Sequence, residues 1–236
     1  MKNLFLMFNS YNLRTRISVV ILLIAPILLE FYLIVPEFRE LSSTLIVIII
    51  TFALCNVLII CCRISGTKAM KKCFPGLMPA QQYLLLSDNY IDSITKKRYH
   101  AFLSEKIQSF DIATIDETMV SSAVTWLIAQ TRDANKFPLI AEENINFGIS
   151  YNLLGLKKAG LILSFLGLLI NILIYVMDIK NILSFAIPYN VIFIAILINL
   201  LFLLFWIFLV NQNLVRNAGK KYGRALLAAC DSPFLQ

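Results

Sequence analysis

The sequence predicts an all-α integral membrane protein, with four transmembrane helices and a cytoplasmic helical domain between helices two and three. Three observations predict it. Of 236 residues, 59% are hydrophobic and 15% charged, with a mean hydropathy of +0.78; a soluble domain is ~45–50% apolar and ~25% charged. Four apolar runs are long enough to cross ~30 Å of hydrocarbon at ~1.5 Å per residue. Lys and Arg collect on one side of those runs. The composition excludes a disordered chain, a collagen and a disulfide-rich secreted module.

Residues 1–16 form an interfacial segment, in which Leu4, Phe5, Phe8 and Tyr11 present an apolar face ahead of Arg14 and Arg16. That pattern suits a helix lying on the inner leaflet. Residues 17–62 form a first transmembrane hairpin with spans 17–35 and 45–62. The first run is no cleaved signal, because Pro36-Glu37-Phe38-Arg39 lacks the small-residue cleavage pattern. Residues 159–210 form a second hairpin with spans 159–177 and 191–210, and residues 211–236 a cytoplasmic C-terminal helix and tail. In that helix Leu214, Ala218, Tyr222 and Leu226 continue span four out of the bilayer. Tyr32, Tyr175 and Tyr189 lie near the outer ends of the spans and Trp206 near the inner end of span four, where such rings favour headgroups.

Charge orients the bundle. Lys2, Arg14 and Arg16 precede span one, twelve basic residues lie between spans two and three, and Arg216, Lys220, Lys221 and Arg224 follow span four. Only Arg39 and Lys180 fall in the opposite loops. The positive-inside rule places both termini and the central region in the cytoplasm.

The central region, residues 63–158, reads as helical. Pro75, Gly76 and Pro79 break the link from span two. Asp92 caps a helix reaching about Ile107, with Ile91, Thr95, Tyr99, Phe102 and Ile107 as its apolar stripe. Asp116 caps a second, in which Val120, Ala123, Val124, Leu127, Ile128 and Thr131 follow helical spacing. Pro138 suits the first turn of a third.

Candidate sites divide between the two sides. The block Lys96-Lys97-Arg98-Tyr99-His100, with Arg132, has the chemistry to grip phosphates and stack on bases; equally, such residues line solvated helix faces. Arg216, Lys220 and Arg224 recur every four residues as a basic stripe, suited to anionic headgroups or to a soluble polyanion. Inside the spans, Glu30 is the one ionisable side chain, with Asn56, Asn171 and Asn199 as polar exceptions. Gly160, Ser164, Gly167 and Asn171 share one face of span three. Small faces let helices approach and hydrogen-bond, within one bundle or between subunits. Glu30, near the outer rim, and Asn199 are candidates to wet a pore at a subunit interface. The five cysteines lack Cys-x-x-Cys spacing and the single histidine is remote from them, which points away from a metal site. The sequence holds no P-loop, Gly-x-Ser-x-Gly or His-Glu-x-x-His motif, so neither an enzyme nor a cofactor is expected.

The run from Leu86-Ser87-Asp88 through Thr95 to His100, then Trp126-Leu127-Ile128, Thr131-Arg132-Asp133, Phe137-Pro138-Leu139, Glu142-Glu143-Asn144, Phe147-Gly148 and Asn152 to Lys157, resembles a family of bacterial four-helix membrane proteins. These are encoded beside nucleotidyltransferases in anti-phage loci; the Hailong transmembrane effector is the member type. Where relatives carry two basic residues, this chain has Ser150-Tyr151, so the resemblance carries no anion contact there. It implies a homo-oligomeric inner-membrane effector whose cytoplasmic part senses a nucleotide or oligonucleotide and whose spans open to depolarise the membrane. A non-catalytic membrane scaffold or accessory subunit is the alternative, and a membrane-bound enzyme a further one.

Overall fold

The structure, a computed structural model, describes residues 10–35, 41–183 and 187–235. Lys2, Leu4, Phe5, Phe8, the Pro36-Glu37-Phe38 stretch and Arg39 lie outside the described residues. Every regular element among the described residues is helical. Leaving aside the short turns Ser10–Asn12, Ile112–Thr114 and Ala228–Asp231, they are in chain order α1 (Ser18–Ile34, entered through a π turn Leu13–Ile17), α2 (Leu41–Cys73), α3 (Pro79–Leu84), α4 (Ser93–Lys106), α5 (Glu117–Gln130), α6 (Pro138–Ile179), α7 (Tyr189–Leu204, closed by a π turn Phe205–Leu209) and α8 (Gln212–Leu227). Four stretches are long and apolar enough to cross a membrane: Leu13–Ile34, Ala53–Cys73, Pro138–Ile179 and Tyr189–Leu209.

The expected helix from Pro138 and the third span are one element, α6, of 42 residues. Lys157 and Lys158 mark a change of polarity there but contain no helix breaker, so the backbone runs on. Helix α2 likewise reaches Cys73 before Gly76, at φ +106°, turns the chain. The continuation of span four into the C-terminal helix is corrected: Val210 is extended (φ −88°, ψ 100°) and α8 starts afresh at Gln212.

The chain folds as two compact units, Met1–Ala69 with Tyr151–Asn211, and Met70–Ser150 with Gln212–Gln236. The C-terminal segment therefore belongs with the second unit. In the first unit, α1 packs on α7, and Val19, Val20 and Leu23 of α1 and Ile192 and Ala195 of α7 are buried. The outward faces stay apolar; Phe193 is 67% and Phe208 68% exposed. Water would not leave so much large apolar surface uncovered on a soluble protein. Helices α2 and α6 touch backbone to backbone where Gly155 meets Ser65 and Gly66. Trp206 leaves the expected headgroup position: it is fully buried, its indole filling the space that a Cβ on Gly160 would take.

The second unit is a small helical domain. Asp92 accepts from the Thr95 amide at 2.8 Å and Asp116 from the Met119 amide at 2.7 Å, starting α4 and α5 where the sequence expects them. Its core joins Tyr83, Leu84, Leu103, Phe110, Val120, Leu127, Phe137 and Leu226. Ile128, expected on the buried stripe of α5, is exposed, while Val120, Ala123, Val124 and Leu127 are inside. Helix α8 seats Gly219 against Phe74 and Phe147, and Gly223 against Pro79 and Ala80.

The Gly155 contact is testable. A side chain there runs into the α2 backbone, which has no rotamer to yield. Gly155→Leu is expected to cost about 1–3 kcal/mol or more. Ile162→Leu, on an exposed position, should stay within about 0.5 kcal/mol. Thermal unfolding of the purified protein in detergent or nanodiscs reads both.

Candidate functional site

Helix α4 carries the basic block, and its periodicity divides the block between two faces. Lys96, Tyr99, His100 and Leu103 turn inward. The Lys96 ammonium donates to the Leu85 carbonyl at 2.8 Å and to the Asp88 carbonyl, just past the end of α3. His100 Nε2 lies 2.8 Å from the Leu84 carbonyl, and since a carbonyl only accepts, this nitrogen carries the proton. The last carbonyls of a helix have no partner within it, and these two side chains supply partners for the end of α3. Burial pushes the Lys96 and His100 pKa values below their ordinary levels, and that of Tyr99 above. His100 is therefore neutral at physiological pH. Lys96, Tyr99 and His100 do not form the phosphate grip expected of them, because folding spends them inside.

Arg98 points outward and makes a two-pronged contact with Asp231, at 2.8 and 3.2 Å. This raises its pKa through the hydrogen bond and the carboxylate charge. Lys97 and Arg132 are exposed. On α8 the stripe Arg216, Lys220 and Arg224 is exposed, while Val215, Gly219, Gly223, Leu226 and Leu227 are buried. The Lys220 ammonium sits 5.9 Å from the centroid of Tyr90. That ring stacks on Tyr83 at 4.4 Å with an 11° tilt and remains 48% exposed. Sequence reading missed Tyr90, which lies in an irregular stretch with no periodicity to place it beside α8. Next to Asp231, burial pushes the Cys230 thiol up to about 12, which leaves it unreactive.

The polar residues of the first unit converge. Asn171 on α6 donates to Glu30 Oε1 on α1 at 2.5 Å, and Asn199 on α7 donates to the same oxygen. Each amide also bonds one turn back on its own helix, Asn171 to Gly167 at 2.8 Å and Asn199 to Ala195 at 3.0 Å. Both asparagines are 1% exposed, and Glu30 is half-buried. Gly167 makes room for the Asn199 amide as Gly160 does for Trp206. The small-residue face expected at a subunit contact is thus covered within one chain: Ser164 and Asn171 are buried and the two glycines meet side chains of the same chain. Glu30 is drawn inward by two amides rather than left to the outer headgroups. Asn56 is half-buried on α2.

Two further polar anchors carried no sequence signal. Lys157 donates to the Ile207 and Val210 carbonyls at 3.1 and 2.6 Å, capping the end of the last apolar stretch. Asn152 donates to the Thr15 carbonyl at 2.8 Å. Among the described residues no group of three His, Cys, Asp or Glu side chains has the arrangement of a metal site. Comparison with protein-family models, curated proteins and solved structures gives no match.

The two roles within one basic block separate by stability. Lys96→Met takes the ammonium away from the Leu85 and Asp88 carbonyls and should cost about 1–3 kcal/mol. Arg98→Ala breaks an exposed pair, 54% and 42% accessible, and should leave stability close to that of the wild type. Chemical denaturation of the two variants beside the wild type reads the difference.

Proposed function

We propose that the chain is a multi-pass effector of bacterial anti-phage defence in the inner membrane, with both termini and the second unit in the cytoplasm. A nucleotide or oligonucleotide bound to the second unit gates a homo-oligomeric pore that depolarises the cell. The observation that carries this reading is the two-sided character of α8. Its apolar face is locked into the second unit's core, its basic face is exposed beside the Tyr90 ring, and only Val210 and Asn211 separate it from the last apolar stretch. A phosphate chain along Arg216, Lys220 and Arg224, with a base against Tyr90, loads a helix joined to a span by two residues. Lys97 and Arg132 remain as further contacts; Lys96, Tyr99 and His100 are withdrawn. Apolar outward faces on the four long helices fit a lipid environment, and the clustering of Lys and Arg fits the topology.

The test uses the purified protein in nanodiscs of zwitterionic lipid, which removes anionic headgroups as competitors. Short single-stranded oligonucleotides should bind with log affinity falling against log salt by about 0.7 per neutralised phosphate. Lys220→Ala with Arg224→Ala should flatten that slope by about 1.4, and should abolish the loss of membrane potential that the bound ligand triggers in cells. Salt-independent binding, or none across a panel of nucleotides and oligonucleotides, supports the membrane scaffold instead.

A further inference from the structure

Glu30 brings one negative charge into an apolar helix bundle, and among the described residues no basic side chain is hydrogen-bonded or ion-paired to it. Along α6 and just past its end the nearest basic residues are Lys180 and Lys158, nine and thirteen positions from Asn171, ~13 and ~20 Å along the axis at 1.5 Å per residue. Helix α7 holds no Lys, Arg or His, and neither does α1. Among the described residues the other titratable groups toward this end are Tyr32 on α1, Tyr175 and Asp178 on α6 and Tyr189 on α7, none of them cationic; Glu37, Arg39 and Glu40 lie outside the described residues. Asn171 and Asn199 supply dipoles only. An apolar interior tolerates a carboxylate when a positive charge accompanies it.

The hydrogen bonds say where that charge goes. Each amide nitrogen has two hydrogens, and both are used: one on the carbonyl a turn back, one on Glu30 Oε1. Flipping either amide would set its oxygen against a carbonyl and a carboxylate oxygen, so the orientation is fixed. An oxygen that accepts two N–H donors is not the one that carries a proton. Oε2 is therefore the atom left to bind a positive group. Asn171 Oδ1 is buried and has no hydrogen-bond partner. It belongs to the same amide whose nitrogen holds Glu30. A buried acceptor left unsatisfied signals a missing water, proton donor or ion. Carboxylate and amide oxygens together suit a hard cation, and the half-burial of Glu30 lets one enter without unpacking the helices.

We propose that Glu30, Asn171 and Asn199 form an intramembrane binding site for one monovalent cation, held between Glu30 Oε2 and Asn171 Oδ1. Two sources share this chemistry. A proton on Oε2 donates to Oδ1, and an alkali ion is ligated by both. Either way one positive charge neutralises one carboxylate. The site rests on the membrane half of the proposed function and is independent of any ligand on α8.

Dicyclohexylcarbodiimide, which attacks protonated carboxyls in apolar surroundings, is the probe, with the adduct at Glu30 located by peptide mass spectrometry on the purified full-length protein in nanodiscs. The adduct is expected to form in mild acid and to fall about tenfold per pH unit on the alkaline side of its midpoint, as a single titrating site requires. Protection by excess NaCl, LiCl or KCl, ranked by ion, identifies an alkali cation; labelling that follows pH but ignores salt identifies the proton. Asn171→Ala should shift the midpoint or the salt protection while the protein stays monodisperse, and Asn199→Ala, which leaves Oδ1 of Asn171 in place, should retain the salt ranking. Two results overturn the site: an adduct insensitive to both pH and salt, or no adduct at Glu30 in a folded protein. Equal labelling of Asn171→Ala and wild type removes Asn171 from it. Alkaline carbonate extraction of cell membranes is run in parallel. A protein released by carbonate fails the membrane reading, whereas an integral protein without a responsive adduct fails only the cation site.

Discussion

A polar atom in hydrocarbon has no water to turn to, and four helices of the chain are long and apolar enough to lie there. The arrangement of Glu30, Asn171 and Asn199 follows from that constraint. Three helices, α1, α6 and α7, each contribute one polar side chain, and the three meet on a single carboxylate oxygen. Lys157 and Asn152 obey the same rule at helix ends, the first on the carbonyls that close α7 and the second on Thr15. Small residues make the meeting possible. Gly167 stands where a larger residue would push Asn199 off Glu30, and Gly160 does the same for Trp206.

The second unit applies the rule in a domain with a polar surface. Lys96 and His100 look like ligand residues in a linear sequence because both carry, or can carry, positive charge. Their spacing on α4 brings them to the inner face, where the Leu85 and Leu84 carbonyls at the end of α3 accept from them. Arg98, two residues from each, falls on the outer face and meets Asp231 instead. Helix α8 is seated by Gly219 and Gly223 together with Val215, Leu226 and Leu227, which brings it close to α3 and leaves Arg216, Lys220 and Arg224 on the exposed side.

Much of this was legible beforehand. The apolar runs marked the long helices, because length and absence of charge are local properties. Asp92 and Asp116 marked two helix starts, because capping is local too. What escaped depended on partners far along the chain. The continuity of α6 through Lys157 and Lys158 was hidden, since a change in side-chain polarity resembles a boundary while the backbone ignores it. The inward turn of Lys96 needed the position of Leu85, and the burial of Trp206 needed Gly160. Tyr90 beside Lys220 joins residues 130 positions apart, and no periodicity announces such a pair. The convergence of Glu30, Asn171 and Asn199 was half visible: the residues stood out as polar exceptions, but only the packing of three helices brings them to one point.

Glu30, Asn171 and Asn199 meet within one chain, while the faces that carry Phe165, Phe193 and Phe208 stay exposed. The most direct measurement joins two members of the cluster covalently. Glu30→Cys and Asn199→Cys are placed together in a chain whose five native cysteines are replaced by alanine, and membranes are treated with a short thiol-specific bifunctional reagent. Closure within one chain gives a product of single-chain mobility whose digest contains a peptide linked between positions 30 and 199. Products of two-chain mobility, with that link found between copies and not within them, would contradict it.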